Sequence, residues 1–157
     1  MTPCVRLRTA WLEWARTVRW DLFVTLTFER TRGRPKPDFE SERADKAFRR
    51  LIRFLNEALY GRRWLRTTAH KGVIWIRTRE AHEDGAVHLH ACIHLPEGAL
   101  TSHLIRCARD WWGQGYGFAR MEPLQSIDAV VAYLVKSVGS ARRGAVIDIS
   151  HNFPRHP

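Results

Sequence analysis

The stretch from Gly85 to Leu95 alternates apolar residues with histidine or cysteine, and this alternation constrains the fold more than any other feature. An apolar–polar period of two predicts a β-strand that is buried on one face only. The apolar face would carry Val87, Leu89, Ala91, Ile93 and Leu95. The other face would carry His88, His90, Cys92 and His94. A row of imidazoles on the polar face of a half-buried strand is a natural platform for a metal ion.

The remaining segments predict an α+β fold. Apolar spacing predicts helices over residues 6–19, 40–60, 102–111 and 127–138, and strands over 22–28, 73–80, 86–95, 118–122 and 145–149. We expect an antiparallel sheet of four to five strands with helices packed on one face, a split-βαβ arrangement like the RRM or ferredoxin-like palm. The histidines would lie on the other, open face. The length predicts one domain over 1–157, with a short N-terminal helix at 6–19, a core of about 20–149 and a C-terminal tail at 150–157.

The charge of the chain favours a nucleic-acid partner. The formal net charge is +10 at pH 7, and the basic residues cluster in 30–36, 43–53, 62–66 and at Arg142 and Arg143. Clustered Arg and Lys suit a phosphate backbone, although a solvated surface is an equally good interpretation of any single Arg. The candidate DNA contacts are Thr25, Thr27, Arg30, Arg32, Arg34, Lys36, His94 and Tyr116.

Cysteine usage and the N-terminal sequence predict a cytoplasmic protein. Cys4, Cys92 and Cys107 form no CxxC pair, which argues against a disulfide framework and for a reducing compartment. The first residues lack the apolar segment of a secretory signal. Since no apolar stretch is long enough to span a bilayer, we expect no membrane partner.

A carboxylate accompanies the histidines. A hairpin turn over 82–85 can bring Glu80 opposite His88 and His90, so that two imidazoles and a carboxylate meet on one face. This donor set predicts a catalytic divalent cation, Mn²⁺ or Mg²⁺, that acts as a Lewis acid on a phosphate oxygen. Two alternatives stay open: a chance alternation of surface histidines, and a structural zinc that includes Cys92 or His94.

Tyr133 is the candidate nucleophile. It lies three residues before Lys136 on the predicted last helix, on a flank beside the apolar stripe. A free tyrosine has a pKa of about 10 and is a weak nucleophile at neutral pH. A nearby ammonium and a metal that polarises the target phosphate would ease its attack. The alternative is a tyrosine at the edge of the core beside a solvated lysine.

Three motifs together resemble the HUH endonuclease superfamily, and within it the rolling-circle replication initiators of bacterial plasmids and phages. Phe23–Phe28 is similar to the first motif of these proteins, a hydrophobic strand with a Thr-Leu-Thr core. Glu80 followed by His88 and His90 resembles their metal motif. Ala132–Lys136 resembles their catalytic-tyrosine motif. The motifs occur in the family's order and span most of the chain.

The resemblance implies a metal-dependent, site-specific DNA endonuclease and nucleotidyltransferase. Tyr133 would attack a phosphodiester of single-stranded DNA, leaving a 5′-phosphotyrosine and a free 3′-hydroxyl. His88, His90 and Glu80 would hold the cation, and Lys136 would orient or neutralise the site. The implied partners are single-stranded DNA or a DNA hairpin at a replication origin, with a host helicase as a further candidate.

Ser137 marks a departure from part of the family. Some initiators carry a second tyrosine at this position, so the chain resembles the single-tyrosine type. Two alternatives stay open: a single-tyrosine transposase or mobilisation enzyme with the same chemistry, and a non-catalytic RRM-like nucleic-acid-binding domain. The RRM-like class uses aromatic residues on the open sheet face, where this sequence predicts Thr25, Thr27, His88 and His90.

Overall fold

The protein was analysed as a computed structural model, which describes residues 3–29, 35–38, 42–67, 72–81, 83–128, 132 and 146–153. This part of the chain contains four helices and five strands. The helices are α1 (Pro3–Ala15), α2 (Glu42–Tyr60), α3 (Trp64–Thr67) and α4 (Ser102–Gly115). The strands are β1 (Leu22–Leu26), β2 (Ile74–Ala81), β3 (Val87–His94), β4 (Ala119–Pro123) and β5 (Val146–Ile149).

The five strands form one sheet in the order β4-β1-β3-β2-β5, and every neighbouring pair is antiparallel. The succession β1-α2-β2-β3-α4-β4 is the split-βαβ arrangement, to which β5 adds an edge strand beside β2. The predicted α+β class and the antiparallel sheet are therefore confirmed. The central position of β3 places the histidine strand between β1 and β2.

The two long helices cover one face of the sheet because their apolar residues recur at helical spacing. In α2 the residues buried against the sheet are Ala44, Ala47, Phe48, Leu51, Ile52, Leu55 and Asn56. In α4 they are Leu104, Ala108 and Trp112. They meet the alternate residues of the central strands, Leu22, Val24, Leu26, Val87, Leu89, Ala91 and Ile93, in one continuous core. The period-two prediction for the histidine strand is confirmed on this face.

The ends of α4 have identifiable causes. Thr101 caps its start, because the side-chain oxygen accepts a hydrogen bond from the Leu104 amide at 3.1 Å. The helix continues to Gly115, beyond the predicted end at residue 111. Trp112 explains the extension: it is fully buried, and its indole N–H donates to the Thr27 carbonyl at 3.0 Å.

The opposite face is open only in part, which sequence reasoning did not anticipate. Trp11 and Trp14 of α1 pack against a second cluster of buried residues that includes Ile76, Cys92 and Phe153. The Trp14 and Phe153 rings stack with centroids 4.0 Å apart. The expectation that helices cover one face therefore holds for α2 and α4, whereas α1 lies on the other face. The part of that face around His88 and His90 lies beside this second cluster.

Two predicted helices differ from the structure. The first helix was predicted over 6–19 but ends at Ala15, whose carbonyl accepts a hydrogen bond from the Trp20 indole at 2.8 Å. Of the last predicted helix, 127–138, residues 127, 128 and 132 are helical, and the others lie outside the described residues. No helix in the described ranges is long and apolar enough to cross a membrane.

Candidate active site on the histidine face

The register of the three central strands brings the predicted site residues together. His90 of β3 pairs with Thr25 of β1 on one side and with Thr78 of β2 on the other. His88 pairs with Glu80 across the β2–β3 hairpin. Since paired residues of antiparallel strands point to the same side, these five side chains share one surface, called here the histidine face.

His90 is held at both ring nitrogens. Its Nδ1 lies 3.1 Å from the Thr25 hydroxyl, and its Nε2 lies 3.4 Å from the Glu80 carboxylate. The Phe23 ring lies parallel to the imidazole, with centroids 6.3 Å apart, and His90 is only 8% exposed. A neutral imidazole donates at one nitrogen and accepts at the other. With Thr25 donating to Nδ1, Nε2–H faces Glu80; with Thr25 accepting from Nδ1–H, the Nε2 lone pair is available to a metal ion.

The donor chemistry of the histidine face fits a divalent cation. His88 and His90 offer nitrogen ligands and Glu80 offers oxygen, the mixed set that transition metals such as Mn²⁺ accept. The Thr78 hydroxyl beside His90 is buried and makes no hydrogen bond within the described part of the chain. Contact is made by Glu80 and His90, while no three His, Cys, Asp or Glu side chains among the described residues form a ready-made metal cluster. The metal role of the three residues stays a prediction.

Strand β4 adds polar residues that the sequence analysis missed. Arg120 pairs with Thr25 in register, and Glu122 pairs with Phe23, so both lie on the same side of the sheet as the histidines. Arg120 donates to Glu122 at 2.9 Å. Next to them, Phe118 is 63% exposed, which is unusual for a large aromatic residue. The alternation of polar and apolar residues over 118–123 was the signal that could have assigned them to this face.

The other candidate DNA contacts that the structure describes are dispersed. The Thr27 hydroxyl donates to the Phe118 carbonyl at 3.1 Å, and Lys36 lies 3.6 Å from Asp84. His94 is four residues along β3 from His90, and its Nδ1 lies 2.7 Å from the Arg19 carbonyl. Tyr116 lies on the helix side of the sheet, packed against the main core. Their contact with DNA stays a prediction.

Several predicted site residues lie outside the described residues. They are the proposed nucleophile and its neighbour, Tyr133 and Lys136, and three cations of the basic loop, Arg30, Arg32 and Arg34. The geometric relation of the phenol to the histidine face therefore rests on sequence reasoning.

Cys92 is a packing residue, as its small size and position suggested. It belongs to the second buried cluster, with no exposed surface. Burial raises the pKa of its thiol far above the ordinary range, so the thiolate that zinc requires is disfavoured. This argues against the structural-zinc alternative that included Cys92.

A family model for the replication-associated protein ORF2 matches residues 21–140. The match begins just before β1 and covers the histidine strand, β4 and the Tyr133–Lys136 segment. No curated protein and no solved structure matches the chain.

Proposed function

The chain belongs to the replication-associated protein ORF2 family, and from this premise we propose that it is a metal-dependent endonuclease that cleaves single-stranded DNA to initiate rolling-circle replication. The DNA would be cut at a replication origin, presented as a single strand or a hairpin. The observation that carries the proposal is the strand register that sets His88, His90 and Glu80 on one side of the sheet.

The proposed reaction exchanges one ester for another. The Tyr133 oxygen forms a bond to phosphorus, and the bond from phosphorus to the 3′-oxygen breaks. The phenolic proton leaves to solvent or a basic group, and the departing 3′-oxygen takes up a proton to become a hydroxyl. The product is a 5′-phosphotyrosine, which keeps the energy of the phosphodiester so that the strand can be rejoined. Lys136 would stabilise negative charge beside the phenol.

His88, His90 and Glu80 would hold the divalent ion. A cation at this position supplies Lewis acidity that withdraws charge from the phosphate oxygens during attack. The contribution of the chain is orientation: Thr25 fixes the imidazole of His90 through Nδ1, and Phe23 packs along its ring. A ligand that is already oriented loses less conformational entropy when the ion binds.

The positions of the other tyrosines support Tyr133 as the nucleophile. The chain has three tyrosines, and Tyr60 and Tyr116 both pack against the core on the helix side of the sheet. Burial raises the pKa of the Tyr60 phenol, which disfavours the phenolate. The Tyr116 hydroxyl accepts a hydrogen bond from Arg50 at 3.4 Å. Neither phenol lies on the side that carries His88 and His90.

The test is a covalent adduct on labelled single-stranded DNA in the presence of Mn²⁺. We expect a denaturation-resistant adduct with the unsubstituted protein and with the matched controls Tyr60→Phe and Tyr116→Phe, but none with Tyr133→Phe. Chelation of the metal, or His90→Ala, should abolish the adduct while DNA binding persists. An adduct of undiminished yield with Tyr133→Phe contradicts the nucleophile, and cleavage in excess chelator contradicts the metal role.

A further inference from the structure

A cleft opens on the helix side of the sheet, between α2 and the C-terminal end of α4. Its volume is about 630 Å³, which is large enough for a nucleotide or more. The floor is apolar, with Phe28, Pro37 and Ala47 all buried. The catalytic proposal assigns no role to this cleft.

One wall of the cleft is cationic. Arg43, Lys46 and Arg50 follow one another at intervals of three and four residues, which places them along one side of α2. All three side chains are exposed, and the described lining includes no carboxylate. Lys46 lies 3.3 Å from Glu42, an exposed i,i+4 pair that a phosphate can replace at small cost. The spacing offers successive charges to a chain of phosphates.

The facing wall is aromatic. Trp111 and Tyr116, both half-buried, line the cleft from the end of α4, with ring centroids 5.6 Å apart. The Phe54 ring stacks on Trp111, and Trp112 packs against Tyr116, so both lining rings are held in place. Fixed aromatic rings beside cations are the combination that binds unpaired bases together with their phosphates.

The cleft and the histidine face meet at the same end of the sheet. Phe28 lines the cleft, whereas Thr25, three residues earlier, lies on the histidine face. Pro37, on the cleft floor, accepts a hydrogen bond from the Val87 amide at 3.0 Å, and the next residue is His88. A strand that leaves the cleft over this end of the sheet reaches the histidines directly.

We propose that the cleft between α2 and α4 is a second binding site for single-stranded DNA, which holds a segment flanking the one at the histidine face. Arg43, Lys46 and Arg50 contact its phosphates, and Trp111 and Tyr116 stack on its bases. The flanking position rests on the proposed function, whereas the binding of single-stranded DNA in the cleft does not require cleavage.

The test measures binding of a labelled single-stranded oligonucleotide by fluorescence anisotropy at several salt concentrations, in a Tyr133→Phe background. Each lost phosphate contact reduces the slope of log affinity against log salt by about 0.7. The triple variant Arg43→Gln, Lys46→Gln, Arg50→Gln should therefore lose about 2 units of slope. The matched control Arg53→Gln, Arg106→Gln, Arg109→Gln removes the same charge from exposed positions of α2 and α4 outside the cleft, and its slope should change much less. Equal slopes for the two variants overturn the proposal.

A second arm tests the aromatic wall. Tyr116→Leu should weaken single-strand binding about tenfold, while Tyr116→Phe, which keeps the ring, should bind normally. Duplex DNA presents no free bases to stack, so Tyr116→Leu should leave duplex binding unchanged. Equal losses for both kinds of DNA overturn a single-strand site. If Tyr116→Leu unfolds the protein, the slopes of the two triple variants still decide. Failure of the cleft leaves adduct formation by the Tyr133 protein intact, and failure of the nickase proposal leaves the slopes unchanged.

Discussion

His90 shows how a single residue is prepared by its neighbours. The ring is nearly buried, yet each nitrogen has a polar partner, Thr25 at Nδ1 and Glu80 at Nε2. A buried imidazole with one nitrogen fixed by a hydroxyl has a defined orientation and a choice of tautomer. The Thr25 hydroxyl is thus placed to control whether Nε2 presents a proton or a lone pair.

Thr25→Val tests this control at nearly constant volume. We expect the affinity for Mn²⁺, measured by isothermal titration calorimetry, to fall about tenfold, because loss of such an outer partner costs 10–100-fold in metal affinity. Thr27→Val is the matched control: this hydroxyl, on the same strand, donates to the Phe118 carbonyl rather than to a histidine. Equal Mn²⁺ affinities of the two variants would show that Thr25 does not orient His90.

Among the secondary-structure elements, the junction of α4, β4 and β1 is the most tightly determined. The Trp112 indole donates to the Thr27 carbonyl, and the Thr27 and Glu29 amides donate to the carbonyls of Phe118 and Tyr116 at 2.9 Å each. Gly117 lies in the middle of this exchange. A Cβ there would lie 2.5 Å from the Thr27 carbonyl oxygen and 2.9 Å from the Phe28 Cα, which are backbone atoms that cannot rotate away.

We therefore expect Gly117→Ala to lower the free energy of unfolding by about 2–3 kcal/mol, the upper range for overpacking. The control is Gly113→Ala, since a Cβ at this helical position meets nothing within 4 Å. That substitution should stabilise the protein by about 1 kcal/mol through helix propensity. Chemical denaturation of both variants measures the difference. A Gly117→Ala protein as stable as the unsubstituted chain would mean that β1 and β4 can separate freely.

At the scale of the whole molecule, a buried arginine joins the helix layer to the edge of the sheet. Arg77 of β2 is 4% exposed; it pairs with Asp45 of α2 at 2.8 Å and with Asp148 of β5. Its guanidinium also lies 4.8 Å from the centre of the Phe48 ring. A buried charge of this kind is tolerated only while its partners remain, so it couples α2 to β5 through the sheet.

Asp45 gives this coupling a pH dependence. Burial raises the pKa of the Asp45 carboxyl, but the hydrogen bond from Arg79 and the charges of Arg77 and Arg79 outweigh it, and the pKa lies below the ordinary value. A carboxyl with a lowered pKa stabilises the fold above its unfolded pKa, and this contribution is lost as the pH falls through the folded value.

Asp45→Asn should thus lower the free energy of unfolding by about 2 kcal/mol at neutral pH. The difference from the unsubstituted protein should shrink as the pH falls below about 4. Glu42→Gln, in an exposed pair with Lys46, should change the stability by less than about 0.5 kcal/mol. Denaturation curves recorded across this pH range measure both. A difference for Asp45→Asn that is constant with pH contradicts the linkage.

The sequence by itself determined the elements whose periodicity is strong. The alternation over 85–95 assigned each residue of β3 to the correct face, and the spacing in 40–60 identified α2, because one buried surface imposes its period on the chain. It also placed Glu80 opposite His88, since a short hairpin fixes the register of its two strands.

Only the tertiary structure decided which distant segments share a surface. No local pattern connects α1 with Phe153, Arg77 with Asp148, or Trp111 with Arg43; the packing of helices and strands brings them together. The helix ends at Ala15 and Gly115 follow from hydrogen bonds and burial contributed by other parts of the chain. Periodicity records whether a residue faces a core, but it does not record which segment lies on the other side, because many apolar or charged partners satisfy the same pattern.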